Sequence, residues 1–158
     1  MIVIAKWFWI FLFCFFLLRP PSVLGANAAP DCDSLEKTFN VDVTREKNTC
    51  KLEIKRSDIQ ASHMGEKLSP DAMEIVFHMA FTSIDSKETI VMGEMALLEN
   101  EINPVIDELR KGNIDISAIH NHMIFEEPRI FYLHFQGMGD LTKQAETIKN
   151  SISKTGHK

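Results

Sequence analysis

The stretch Glu88–His122, ETIVMGEMALLENEINPVIDELRKGNIDISAIHNH, decides the fold. Its opening part, Glu88–Leu98, is rich in Ile, Val, Met and Leu and reads as a buried strand. Ile102, Val105, Ile106 and Leu109 then recur on one helical face. Glu99 and Glu101 stand at the start of that helix and Pro104 in its first turn. Arg110 and Lys111 close it before Gly112, so acids and bases sit where the helix dipole favours them. Ile114–His122 is a second strand. A strand, a helix and a strand with short connections suit a right-handed crossover that sets the two strands parallel.

Working outward, Met73–Thr82 is a strand that joins Glu88–Leu98 through Ser83–Lys87 as a hairpin. Before it, Ser57–Asp71 is a polar connection containing Gly65 and Pro70. Thr49–Arg56 alternates, with Cys50, Leu52 and Ile54 facing one way and Lys51, Glu53 and Lys55 the other, as in a strand with one wet face. Asp31–Phe39 is a short helix carrying Cys32, Leu35 and Phe39 on one side, with Asp33 and Glu36 at capping-box spacing. Downstream, the loop Met123–Pro128 leads to a strand at Arg129–Gln136. Asp140 then caps a helix with the stripe Leu141, Ala145, Ile148 and Ile152. The order is α-β-β-β-α-β-β-α. It predicts an α+β fold: a mixed, mostly antiparallel sheet with packed helices. The expected boundaries are an N-terminal helix and connection at 29–48, the domain at 49–153 and a fraying tail at 154–158.

Residues 1–28 read as a secretory signal peptide: Lys6, the apolar run Trp7–Leu18, and small residues up to Ala26-Asn27-Ala28. The alternative is a retained membrane anchor, although a helix of this length rises only about 18 Å against a hydrocarbon core of about 30 Å. The expected location is secreted or in the cell envelope, with membrane contact only through that segment. The segment holds two of the 17 basic residues and none of the 22 acids, which leaves the remainder at −7. An acidic domain disfavours nucleic acid and anionic membranes as partners. Of the three cysteines, Cys14 falls in the apolar run. Cys32 and Cys50 are expected to form a disulfide worth about 3 kcal/mol, against the alternative of two buried thiols.

The chemistry concentrates on His120-Asn121-His122 and His134. Positions i and i+2 of a strand face the same way. His120 and His122 would therefore project side by side, about 6.5–7 Å apart at Cα. Such a pair, with a third ligand from a neighbouring strand, suits Zn, Mn or Fe. His134 supplies that ligand only if Ala118 pairs with it, because a one-residue slip turns it to the other face. Carboxylates available to complete a site are Glu94, Glu126, Glu127 and Asp140, with Glu94 and Glu127 the candidate catalytic bases. Arg129 is a candidate ligand-binding residue for a carboxylate or phosphate, or else a structural partner of Glu126 or Glu127. Asp140 is equally explained as a helix cap. His78 reads as structural, and His63 and His157 carry no role. Gly137–Asp140 lacks the features of a phosphate loop. The consecutive His-Asn-His is unlike the dispersed residues of the nucleases named for those letters.

Val91-Met92-Gly93-Glu94, Glu101-Ile102-Asn103-Pro104-Val105, Ala118-Ile119-His120-Asn121-His122, Glu127-Pro128-Arg129, His134-Phe135 and Gly137-x-Gly139-Asp140 resemble the LppY/LpqO family of bacterial exported proteins and lipoproteins. The likeness runs from about Cys50 to Ile152. It implies an extracytoplasmic domain whose signature falls on the same histidines, but it supplies no mechanism. This chain departs in lacking a lipobox cysteine and in having Glu94 where Asp is commoner. It also has one copy of a domain that longer relatives duplicate, which implies either a homodimer or a reduced site. Three functions follow as expectations. The first is a binding domain for a divalent metal or small polar ligand at His120, His122 and His134. The second is a metal-dependent hydrolase using Glu94 or Glu127. The third is a metal-free envelope interaction module contacting a partner through Ile124 and Phe125.

Overall fold

The computed structural model describes residues 29–158, so the expected signal segment and Cys14 lie outside the described residues. Helix α1 (Cys32–Phe39) is capped by Asp31, which accepts the Ser34 N–H, and not by the Asp33–Glu36 pair. The chain continues as β1 (Val43–Glu46), β2 (Thr49–Lys55), β3 (Ala61–His63), β4 (Glu66–Leu68), β5 (Val76–Ser83) and β6 (Thr89–Leu98). Then come α2 (Ile102–Lys111), β7 (Asp115–Asn121), β8 (Glu126–Glu127), β9 (Ile130–Gly139) and α3 (Leu141–Ile152). The eight expected elements stand in the expected order, and the fold is α+β. The short strands β1, β3, β4 and β8 are additions.

Six strands form one sheet in the order β1-β2-β5-β6-β9-β7, and β4-β3-β8 form a small second sheet. Every ladder among the described residues is antiparallel. The crossover through α2 does set β6 and β7 parallel to each other, because both run antiparallel to β9. They are not neighbours, however. The chain returns after β7 and β9 fills the gap, satisfying the facing backbone groups of both strands.

Strand alternation sorts the large sheet into two faces. On one face Leu52, Phe77, Met79, Met95, Leu133 and Phe135 pack under Leu35 of α1, Val105 and Leu109 of α2, and Ile148 of α3. Gly93 sits on this face under the Phe135 ring, where an added Cβ would lie 2.5 Å from a ring carbon. The other face has no helix. At one end it is covered by a smaller core in which Ile59, Met73 and Ile75 meet Ala96, Ile130 and Tyr132.

Two features tie down the two ends of the described residues. Cys32 and Cys50 form the expected disulfide, with Cα atoms 5.6 Å apart. With α1 packed in the main core and β1 paired to β2, residues 31–48 are part of the domain and not a segment before it. At the other end, Arg56 is fully buried. Its guanidinium donates to Glu101 at 2.9 and 3.0 Å, to Asp58 at 2.8 and 2.9 Å and to the Ala96 carbonyl at 2.7 Å. It also lies 5.1 Å from the centre of the Phe77 ring. Glu101 accepts the Gly156 N–H at 2.7 Å, and the His157 ring meets Phe77 edge-on. The tail expected to fray is therefore docked, because the buried ion pair offers it a carboxylate acceptor.

The β7–β9 ladder shifts register between Ile116 and Ala118. Ile116 stands opposite Phe135, on the helix-covered face. One residue is then skipped, and Ala118 pairs with His134. Such a bulge re-aims the side chains beyond it. It turns Ala118 and His120 onto the open face.

Candidate functional site

The open face carries a polar row. Glu53, His78, Glu94, His134 and Ala118 lie opposite one another across β2, β5, β6, β9 and β7. In an antiparallel ladder such residues project together, so carboxylate and imidazole alternate along the row. His120 falls in the next row, opposite Tyr132, which in turn faces Ala96. A cleft of about 620 Å³ opens over these residues, with His78, Glu94, His120, His122 and Tyr132 on its floor and walls. Glu53, Lys55, Asp71 and Glu74 complete it. Lys55 is paired with Asp71 at 2.7 Å, and that hydrogen bond raises its pKa.

The imidazoles have different partners. His120 Nδ1 lies 2.9 Å from the Asn121 carbonyl. A carbonyl only accepts, so Nδ1 carries the hydrogen and the Nε2 lone pair is free. His120 Nε2 is 2.9 Å from His134 Nε2. His134 is thus the donor of that bond, and Glu94 Oε2 lies 3.5 Å from the same nitrogen. His122 does not join this pair. Its Nδ1 is 2.7 Å from Glu126 Oε2, and the Glu126 side chain is only 1 % exposed. Glu126 Oε1 accepts the Ile130 N–H at 2.9 Å and the Met123 N–H at 3.3 Å, which fixes the carboxylate in place. The Tyr132 ring lies against both His120 and His122, with centroids at 6.0 and 4.8 Å. Its hydroxyl donates to the Glu74 carbonyl, and burial pushes its pKa up to about 12.

Two of the three histidines singled out from sequence therefore converge, and the third is committed to a buried glutamate. Among the described residues no three or more His, Cys, Asp and Glu side chains stand together in a metal-holding arrangement. Two nitrogens bound to one cation at about 2.1 Å stand roughly 3 Å apart at right angles and roughly 3.4 Å apart in the tetrahedral arrangement of zinc. The His120–His134 nitrogens, 2.9 Å apart, match the first spacing and are too close for the second, with the Glu94 oxygen 3.5 Å from His134. Glu94 is in the cleft, whereas Glu127 lines a separate hollow of about 260 Å³ with Ser62 and Lys67. Arg129 is exposed, outside the cleft, and pairs with neither Glu126 nor Glu127. Asp140 caps α3 through the Lys143 N–H.

His78 and Glu53 belong to the cleft although sequence alternation gave them only a wet strand face. Their alignment with Glu94 and His134 depends on register across four strands, which periodicity within one strand does not carry. Asp71 and Glu74 arrive from the connection before β5. Ile124 and Phe125 are 72 % and 73 % exposed at the β7–β8 loop tip, beside Met64, whose N–H donates to the Phe125 carbonyl at 3.0 Å. No curated protein and no solved structure gives a significant match to the chain. One family model does match, over residues 33–154, from within α1 to the docked tail. By that match the chain belongs to the family described as Domain of Unknown Function (DUF1259).

Proposed function

We propose that the open-face cleft binds a small polar ligand carrying positive charge. The observation that carries this reading is the lining: four carboxylates, Glu53, Asp71, Glu74 and Glu94, against one lysine already paired with Asp71. A one-signed, partly enclosed cleft concentrates ions of the opposite sign. The imidazoles add lone-pair acceptors at its floor. A Glu94→Gln variant should weaken binding of an organic ammonium or metal cation by about fivefold or more, read by titration calorimetry on the full chain. Equal affinity for cationic and neutral ligands of the same shape would refute the charge argument.

A second reading, a divalent metal ion (Zn, Mn or Fe) between His120 and His134 with Glu94, is favoured by the 2.9 Å separation of the two Nε2 atoms. A cation there would replace the hydrogen that the two rings share. The experiment is calorimetry with each metal on wild type and on His120→Ala. No heat with any of them sinks this version and leaves the organic cation. We also place the domain outside the cytoplasm. The disulfide supports an oxidising compartment, and the likeness to the LppY/LpqO proteins points the same way.

A further inference from the structure

We propose that His122 and Glu126 form an acid–base dyad that hydrolyses small carboxylic esters in this cleft without a metal ion. The proposal rests on the ligand-binding reading of the cleft and names a reaction for it. Glu126 is buried, and its two oxygens are held by three N–H groups, those of His122, Met123 and Ile130. An ionised carboxylate only accepts hydrogen bonds, so His122 must carry its hydrogen on Nδ1. Nε2 is then the basic nitrogen. It makes no hydrogen bond among the described residues, and the ring forms part of the cleft wall. His120 and His134 differ, since each spends its Nε2 on the other. His122 is thus the cleft imidazole with an oriented tautomer and an uncommitted basic nitrogen, the pairing that general-base catalysis needs.

In the step proposed, His122 Nε2 takes a proton from a water molecule whose oxygen attacks the ester carbonyl carbon. Glu126 stabilises the imidazolium that forms. The bond from that carbon to the alcohol oxygen breaks, the electron pair leaves with the oxygen, and the imidazolium returns its proton to it. The products are a carboxylic acid and an alcohol, and no oxidant or co-reactant is consumed. The acidic lining selects the substrate class. It repels phosphate esters and favours carboxylic esters bearing a positive charge.

Glu126→Gln tests the dyad closely. The Gln carbonyl oxygen can keep the Met123 and Ile130 N–H bonds, which directs the amide NH2 at His122. An NH2 donates, so His122 Nδ1 must become the acceptor and Nε2 must take the hydrogen. The fold survives while the base is lost. Long-range proton–nitrogen NMR of the full chain should show His122 with its hydrogen on Nδ1 in wild type and on Nε2 in E126Q. Hydrolysis of p-nitrophenyl acetate and of acetylthiocholine is measured with chelator present. Turnover above background should fall about tenfold or more in E126Q and in His122→Ala, with melting temperatures close to that of wild type. Wild type showing no more turnover than either variant, or carrying the His122 hydrogen on Nε2, overturns the dyad. If the dyad variants lose turnover but the cationic ester is no better a substrate than the neutral one, the hydrolase stands and the cation-binding reading fails.

Discussion

Replacing Glu101 with Leu should cost far more than its position at the start of a surface helix suggests. The substitution keeps volume and removes one of two carboxylates from a guanidinium that is fully buried. Breaking a buried ion pair by deleting one partner typically costs about 3–5 kcal/mol, because the remaining charge stays out of water. Two further bonds go with it, from Leu98 N–H at 2.9 Å and Gly156 N–H at 2.7 Å, at about 1 kcal/mol each. Asp58 works against the loss, since it stays bidentate on Arg56 and its own carboxyl is held below the ordinary range chiefly by that hydrogen bond. We expect a net loss of about 3–5 kcal/mol. With a urea dependence of about 2 kcal/mol per molar, the midpoint drops by roughly 1.5–2.5 M. The comparison that isolates charge is Arg56→Met/Glu101→Leu, which removes both ions and should be less destabilised than Glu101→Leu alone. A single variant that loses under about 1 kcal/mol, or a double variant worse than the single, would show that this network is not what holds the tail and β6 to the sheet.

Tyr132 is the sole tyrosine in the chain, so absorbance at tyrosinate wavelengths reports it directly. Its transition should centre near 12 in the folded protein, and a midpoint near 10 would contradict its burial. Because the folded value lies above the unfolded one, its stabilising contribution is complete below about pH 10 and is lost as pH rises through 12. Thiol titration of the denatured, unreduced domain should find Cys32 and Cys50 blocked. Reduction should then cost about 3 kcal/mol of stability, measured by urea unfolding with and without reductant. Gly93→Ala should destabilise by about 1–3 kcal/mol because the new methyl meets the Phe135 ring. A neutral result in thermal unfolding would mean that both the ring and the His78 carbonyl, 2.7 Å from the new Cβ, give way freely.

Periodicity carried the long elements, since α2 and α3 repeat at helical spacing and β2 alternates over seven residues. It could not carry β3, β4 and β8, which are two or three residues long and never complete an alternation. Nor did it give the insertion of β9 between β6 and β7, because strand order follows from long-range closure and not from local pattern. At the site, the His120–His122 pair was legible from i, i+2 spacing. Its division was not, since it turns on Glu126, a loop carboxylate whose burial comes from folding back over Ile130. Arg56 read as the end of a strand, because most of what buries it, Glu101, the Ala96 carbonyl and the Phe77 ring, comes from far along the chain. One local signal does mark the bulge in the sequence. Ile114 and Ile116 are spaced for a regular strand, but the next isoleucine is Ile119 and not residue 118.

That break makes the skipped residue, Ser117, a phase inverter for everything after it. Up to Ile116 even-numbered residues of β7 point at the helices, and from Ala118 onward even-numbered residues point at the cleft. The facing of His120, and of His122 just beyond β7, therefore depends on this one residue standing out of the ladder more than on its side chain. Swapping Ser117 for another small side chain leaves the count intact and should leave the cleft intact. Deleting it would leave Ile116 opposite Phe135 and Ala118 opposite His134 in an unbroken ladder and should keep His120 on the cleft, whereas flattening the bulge so that Ser117 pairs with His134 would present Ile119 and Asn121 instead. Whether Ser117 stands out of the ladder or pairs within it thus decides which letters of His-Asn-His face the cleft, while every letter stays the same.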